Sequence, residues 1–72
     1  MSTTMTREQQ VAAYLSAHRM VDFCDDCVAT AIGINRHQAR NATSGLGAGS
    51  DFDRGDRTCS RCRRFKRVIR RR

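Results

Sequence analysis

The 72-residue sequence contains no proline, no tryptophan, one tyrosine and three phenylalanines. It also has no run of about 18 apolar residues, so no segment is predicted to span a membrane. Residues 1–6 lack the basic and apolar regions of a secretory signal. We therefore expect one cytoplasmic domain. A chain this short buries a thin core and often needs a metal, disulfides or a partner for support.

The residue sets of common enzyme classes are also missing. No Ser-His-Asp set is recognisable, and Gly45, Gly47 and Gly49 are not followed by the Gly-Lys-Ser/Thr of a phosphate-binding loop. Glu8 is the only glutamate and lies far from the cysteines in sequence, so a zinc hydrolase would lack a nearby carboxylate base. We expect no enzymatic activity.

What the sequence does contain is two Cys-x-x-Cys pairs, Cys24 with Cys27 and Cys59 with Cys62. The cytosol keeps thiols reduced, so the pairs indicate a metal site rather than disulfides. Two such pairs complete a closed tetrahedral shell with no open position for a substrate. We predict one structural Zn²⁺ on these four ligands. The alternatives are redox-active dithiols, although the βαβ pattern of thioredoxin-like sites is absent, and unrelated buried thiols.

The charge is strongly positive and unevenly distributed. The formal net charge is +7, and residues 61–72 hold eight Lys or Arg residues and no acid. One Zn²⁺ on four thiolates would lower the working charge to about +5. A protein of this charge attracts polyanions, of which nucleic acid is the first candidate and an anionic membrane surface or an acidic protein the second.

Capping signals and apolar periodicity place the secondary structure. Thr6 with Gln9 fits a capping box, and Asn35 with Gln38 three residues later fits an N-cap. Gly45 is a natural C-terminal cap for the helix that Asn35 begins. The predicted elements are a disordered segment 1–5, helices over 7–19, 24–33 and 36–44, an extended link over 20–23, and antiparallel strands over 51–57 and 64–70.

Residues 28–42 combine a small Ala29 at a helix contact, Gly33 at the turn, and Ile32 and Ile34 beside it. Steeply crossing helices need small contact residues and a glycine that can take positive φ. The stretch resembles the helix-turn-helix family of DNA-binding regulators, which implies that the third helix is the recognition helix. The alternative is the solvated face of an ordinary helical hairpin. The residues implied to contact DNA from this helix are Arg36, His37, Arg40 and Asn41.

Three helices followed by a hairpin resemble a winged helix-turn-helix domain over about residues 6–70, with 71–72 as the end of a basic tail. In that family the wing contacts the DNA backbone or minor groove. The embedded cysteine pairs depart from the usual pattern. The basic strand also fits a solvated edge protected from aggregation, with 70–72 expected to be mobile. The wing and tail residues implied to contact DNA are Arg54, Arg57, Arg61, Arg63, Arg64, Lys66 and Arg67.

We therefore expect a small α+β protein, a zinc-stabilised winged helix-turn-helix that binds double-stranded DNA as a prokaryotic or phage transcriptional regulator. A zinc-ribbon-like adaptor that docks on RNA polymerase, the ribosome or another protein is the alternative. RNA binding is a third interpretation, weakened by the few aromatic side chains available for stacking. The DNA target stays open, as does a homodimer, which would extend the short site that one module covers.

Overall fold

The computed structural model describes residues 6–72, so the predicted disordered segment 1–5 lies outside the described part. Three helices and three strands form a small α+β fold, of which the α+β class, the helices and the last two strands were predicted and the first strand was not. In chain order they are α1 (Arg7–Ala17), β1 (Phe23–Cys24), α2 (Asp25–Ile32), α3 (Arg36–Gly47), β2 (Phe52–Thr58) and β3 (Phe65–Arg71).

The helix starts follow the predicted caps. The Thr6 hydroxyl accepts from the Gln9 N–H at 3.1 Å, and the Gln9 side chain accepts from the Thr6 N–H at 2.9 Å. Asn35 and Gln38 form the same reciprocal pair at the start of α3. Gly33 ends α2 with φ of 77°, a left-handed conformation that glycine adopts without steric cost. These contacts confirm the predicted starts of α1 and α3 and the predicted end of α2 at Gly33, whereas α1 ends at Ala17, two residues earlier than predicted.

The predicted end of the third helix at Gly45 is wrong. Helix α3 continues to Gly47 and its C-cap Ala48 has helical dihedrals, φ −73° and ψ −18°. Leu46 packs against the core in this extra turn. The side chain of Arg54 passes so close to Gly47 that a Cβ there would lie 3.0 Å from the Arg54 Cδ. Gly47 is therefore required for the close approach of the Arg54 side chain rather than as a left-handed cap.

The predicted two-stranded hairpin is part of a three-stranded antiparallel sheet. Its order is β1-β3-β2, with Phe23 opposite Ile69 and Cys24 opposite Val68. The predicted extended link had no signal for pairing, because a two-residue strand is too short to show alternation. Strands β2 and β3 lie one residue later than predicted, and β3 includes Arg70 and Arg71, which were expected in a mobile end. Strand β1 thus attaches the hairpin to the helices.

Two buried clusters occupy opposite faces of this sheet, because successive side chains of a strand alternate. Ile69 faces the helices and belongs to the main core, whereas Val68 packs with the cysteines. Within residues 6–72, no helix has both the length and the apolar character required to cross a membrane. The main core consists of Val11, Leu15, Phe23, Val28, Ala29, Ala39, Ala42, Phe52 and Ile69.

Candidate metal centre and nucleic-acid interface

The fold brings the four predicted cysteine ligands together. Cys24 is the N-cap of α2 and Cys27 lies in its first turn, while Cys59 and Cys62 belong to the connection between β2 and β3. All four sulfur atoms lie within 4.8 Å of one another. A sequence separation of more than thirty residues between the pairs is closed by the pairing of β1 with β3.

The sulfur positions fit a tetrahedral thiolate site. The Cys24 and Cys62 sulfurs are 3.8 Å apart, and the Cys27 and Cys59 sulfurs are 3.7 Å apart. A tetrahedron with metal–sulfur bonds of about 2.3 Å has edges of about 3.8 Å. A disulfide would require about 2.0 Å, and all four cysteines are free. Tetrahedral four-sulfur coordination suits zinc or iron, so the geometry supports a metal site without specifying the ion.

Backbone hydrogen bonds shape the turn that carries Cys59 and Cys62. The Cys59 N–H donates to the Arg64 carbonyl and the Arg63 N–H donates to the Cys59 carbonyl, both at 2.9 Å. Arg63 takes a positive φ of 64°, which closes the turn. The Ser60 N–H donates to the Asp22 carbonyl at 2.9 Å, so the turn is also joined to the segment that precedes β1.

The environment of the sulfurs separates their acidities. Burial raises the pKa of Cys59, but backbone N–H groups of Cys62, Cys24 and Arg61 donate to its sulfur and lower the pKa to about 6. Burial, with no comparable set of donors, raises the pKa of Cys27. Burial also raises the pKa of Cys24. Cys59 is therefore the most acidic of these three thiols, and Cys24 and Cys27, whose pKa values are raised, must lose their protons before they can ligate a cation.

The cysteine cluster is closed to solvent on most sides. Cys24 is 1% exposed and Cys59 and Val68 are 0% exposed, while Cys62 is half-buried. Four protein ligands leave no position for water or substrate, which is the arrangement of a structural site.

No protein-family model, no curated protein and no solved structure matches this chain. The assignment of the remaining candidate residues follows from their positions in the structure.

The predicted contact residues of α3 share one exposed face. Arg36, His37, Arg40 and Asn41 are all exposed, and the helix contains no acidic residue. The opposite face buries Ala39, Ala42 and Thr43 against the rest of the domain. Because of this division, α3 presents a polar surface whose two arginines, Arg36 and Arg40, lie in the N-terminal half of the helix.

A cleft separates this face of α3 from the start of β3. Asp25, Asp26 and Arg54 line it together with groups from both sides. The cationic and polar side chains that line the cleft from α3 and β3 are Arg36, His37, Arg40, Ser44, Lys66 and Arg67. The structure thus brings three of the four predicted helix contacts, Arg36, His37 and Arg40, beside the predicted contacts Lys66 and Arg67, while Asn41 does not line the cleft.

Internal ion pairs divide the predicted contacts into two groups. Arg54 pairs with Asp25 at 3.2 Å, Arg57 with Asp22 at 3.1 Å and Lys66 with Asp26 at 2.8 Å. The Lys66 hydrogen bond lowers the pKa of Asp26 and raises that of Lys66. The exposed Arg36 and Arg67 make longer pairs of 3.7 and 3.8 Å. Within residues 6–72, no carboxylate lies within 4.0 Å of Arg40, Arg61, Arg63 or Arg64.

Asp25 connects the metal centre to both neighbouring elements. Its carboxylate accepts from the Thr43 hydroxyl at 2.7 Å and from an Arg54 guanidinium nitrogen at 3.2 Å. Thr43 is 0% exposed. Its hydrogen bond attaches α3 to Asp25, one of the two residues between Cys24 and Cys27. Sequence reasoning assigned Asp25 only to the helix dipole, because nothing local indicates partners 18 and 29 positions away.

Sequence reasoning also missed a second ionic cluster on the other face of the sheet. The register places Arg54 opposite Ile69 and Arg57 opposite Lys66, so Arg57 points away from the helices. There it contacts Asp22 and Asp53, and Arg70 also pairs with Asp53. The signal was present in the sequence, because the acids of β2 are matched by the bases of β3.

Proposed function

We propose that this protein is a small winged helix-turn-helix module that binds double-stranded DNA and is held together by one structural Zn²⁺. Helices α2 and α3, joined through Gly33, correspond to the helix-turn-helix, and β2 with β3 correspond to the wing. The observation that carries the proposal is the exposed face of α3, which carries no acidic residue of its own and lines a cleft together with Lys66 and Arg67 of β3.

Helix α3 has the dimensions and side chains of a recognition helix. Its 12 residues span about 18 Å, and the candidate contacts lie in its N-terminal half, the part that approaches base edges in such proteins. Arg40 has no internal carboxylate partner, so its guanidinium is available for bidentate pairing with guanine. Asn41 is exposed beside it and matches adenine in the same way.

The hairpin supplies contacts that do not depend on base sequence. Arg61, Arg63 and Arg64 are exposed on the turn, and each cation that meets a phosphate releases a counterion. Arg54 and Arg57 are engaged with buried or half-buried acids, which suits a role in holding the sheet and α3 in position. Within the predicted set, we therefore assign DNA contact chiefly to α3, the turn and the exposed Arg67.

We assign zinc rather than iron because a closed shell of four thiolates is the usual arrangement of structural zinc sites. A structural site of this kind contributes folding free energy and needs no redox change. Cys24, Cys27, Cys59 and Cys62 would hold the ion between the start of α2 and the turn of the wing. A DNA-binding module of this size fits the transcriptional regulator expected from the sequence.

The first experiment is a fluorescence-anisotropy titration of zinc-loaded protein against duplexes selected from a random pool, at several salt concentrations. We expect affinity to fall as salt rises. Arg40→Ala should weaken binding by about 1–3 kcal/mol and relax the preference at one base position. Arg19→Ala is the charge-matched control, because Arg19 bonds the Arg72 carbonyl at the far end of β3.

No duplex binding at low salt would overturn the proposal, as would equal effects of the Arg40 and Arg19 substitutions. If the same surface instead docks on RNA polymerase, the ribosome or another protein, a nuclease-treated pull-down should recover one stoichiometric protein partner. That partner should then be lost with Arg40→Ala or with charge reversal on the turn.

A further inference from the structure

Phe65 is an aromatic side chain that the small core does not use. It is 73% exposed, although the chain has only three phenylalanines and Phe23 and Phe52 are both buried. Leaving a large apolar side chain in water forgoes burial free energy that a thin core needs. An exposed aromatic on a charged surface is a common mark of a binding contact.

The strand places Phe65 on the same side of the sheet as Arg67. Side chains two apart on a strand share a side, and Ile69, the next in this series, lies in the core beneath the helices. Arg67 and its neighbour Lys66 both line the cleft beside α3, whereas Phe65 does not line it and lies at the end of β3 nearest the turn. The ring is therefore next in the chain to the exposed arginines of the turn, to which we assign DNA contact.

The backbone around Phe65 is firmly held. Phe65 is opposite Thr58 in the β2–β3 register and directly follows Arg64, whose carbonyl accepts from the Cys59 N–H at 2.9 Å. The metal-binding turn thus presents the ring from a fixed strand rather than from a loose loop. Arg63 and Arg64 precede it in the chain and are exposed, with no carboxylate of residues 6–72 within 4.0 Å of them.

We propose that Phe65 acts as an apolar wedge that enters a groove of duplex DNA and packs against a base step, while Arg63 and Arg64 contact the adjacent phosphates. The inference rests on the proposed DNA-binding function. Apolar side chains inserted between base steps unstack them and bend the duplex, and flanking cations offset the backbone charge. A single exposed phenylalanine that directly follows two exposed arginines supplies both requirements.

Salt dependence distinguishes a wedge from a phosphate contact. Phe65→Ala should weaken binding about tenfold at every salt concentration and leave the slope of log affinity against log salt unchanged. Arg64→Ala should instead reduce that slope by about 0.9. Phe65→Trp should restore most of the affinity, because it retains an aromatic face.

Met20→Ala is the matched apolar control. Met20 is 59% exposed, and its N–H donates to the Arg71 carbonyl at the other end of β3, about 20 Å from Phe65. It should not change DNA affinity. Because Phe65 is exposed, its alanine variant should also keep the zinc content and the thermal unfolding of the parent protein.

Base unstacking gives a second measurement. Duplexes carrying 2-aminopurine at successive positions of the selected site should show increased fluorescence at one step with the parent protein and no increase with Phe65→Ala. If the parent protein binds duplex but Phe65→Ala binds equally well, the wedge is overturned and the proposed function stands. If the parent protein binds no duplex, the proposed function fails and the wedge with it.

Discussion

The two faces of the sheet are stabilised in different ways. On the helical face, Val11, Leu15, Val28 and Ile69 are all 0% exposed and form one apolar cluster. On the other face, the four cysteines pack with a single buried aliphatic residue, Val68. Burial of apolar area at about 25 cal/mol per Å² can hold the helices together. Little apolar area is buried at the turn of the hairpin, so we expect the turn to depend on the cysteine cluster.

This difference bears on the proposed DNA surface, since that surface is divided between the two regions. Arg40 is positioned by a helix with an apolar underside, whereas Arg63 and Arg64 are positioned by the cysteine turn. Asp25 joins the two, because it lies between two cysteine ligands and bonds Thr43 of α3. Perturbing each region separately should show how far the position of Arg40 depends on the cysteine turn, and how far the positions of Arg63 and Arg64 depend on the helices.

Removal of the metal should produce the largest effect. Structural zinc contributes about 10–16 kcal/mol in finger peptides, as much as the whole stability of about 5–15 kcal/mol of a small domain. We expect chelation to release the turn over residues 59–64 and then to unfold the domain cooperatively. Hydrogen exchange after chelation should rise first at the turn and later at Leu15 and Ala39, with metal analysis of the untreated protein reporting one zinc per chain.

The matched variants for this prediction lie side by side in the turn. Cys59→Ser should lose the metal and reproduce the chelated state, while Ser60→Ala should keep the metal because Ser60 contributes only its backbone N–H. Unchanged exchange and circular dichroism after chelation would mean that the turn is held without a metal and would favour the dithiol alternative.

Breaking the connection between the regions should have an intermediate effect. Asp25→Ala leaves the Arg54 guanidinium, 15% exposed, without a carboxylate, and it removes the acceptor of Thr43. We expect the free energy of unfolding of the metal-loaded protein to fall by about 3 kcal/mol. Denaturant unfolding of the single variants and of Asp25→Ala with Arg54→Leu gives the coupling between the two residues.

The control is an ion pair of the same type at the surface. Asp56 and Arg67 lie 3.8 Å apart and are each about two-thirds exposed, so Asp56→Ala should cost less than about 1 kcal/mol. Equal losses for the Asp25 and Asp56 variants would remove Asp25 as the link between the metal turn and α3.

The smallest effect should come from the cap of α3. Asn35→Ala removes the acceptor of the Gln38 N–H, a bond of 2.8 Å, and should destabilise the domain by about 1 kcal/mol while leaving metal affinity unchanged. Asn41→Ala is the comparison within the same helix, because its exposed side chain should affect stability by less than about 0.5 kcal/mol. A change in metal affinity with Asn35→Ala would contradict the separation of the two regions.

Local signals predicted much of this fold. The capping boxes at Thr6 and Asn35 and the left-handed Gly33 depend on residues within one turn of each other, so they could be recognised before any tertiary contact was known. The grouping of the cysteines was also predictable, because the Cys-x-x-Cys spacing already places two sulfurs of each pair together. The end of α3 was not, because its last turn packs Leu46 against the core and Gly47 against Arg54 of β2, and these contacts join residues distant in sequence.

The sequence by itself determined the helix starts, the α2–α3 turn, the cysteine set and the excess of cations in the last strand, because each rests on residue type or short spacing. The tertiary structure decided which cations are free. It neutralised Arg54, Arg57 and Lys66 with Asp25, Asp22 and Asp26 and left Arg40, Arg63 and Arg64 exposed. It also placed Phe65 in solvent beside them. These assignments depend on the strand order β1-β3-β2 and its register, which bring residues that are distant in sequence to one face of the sheet. No local sequence pattern predicts that register.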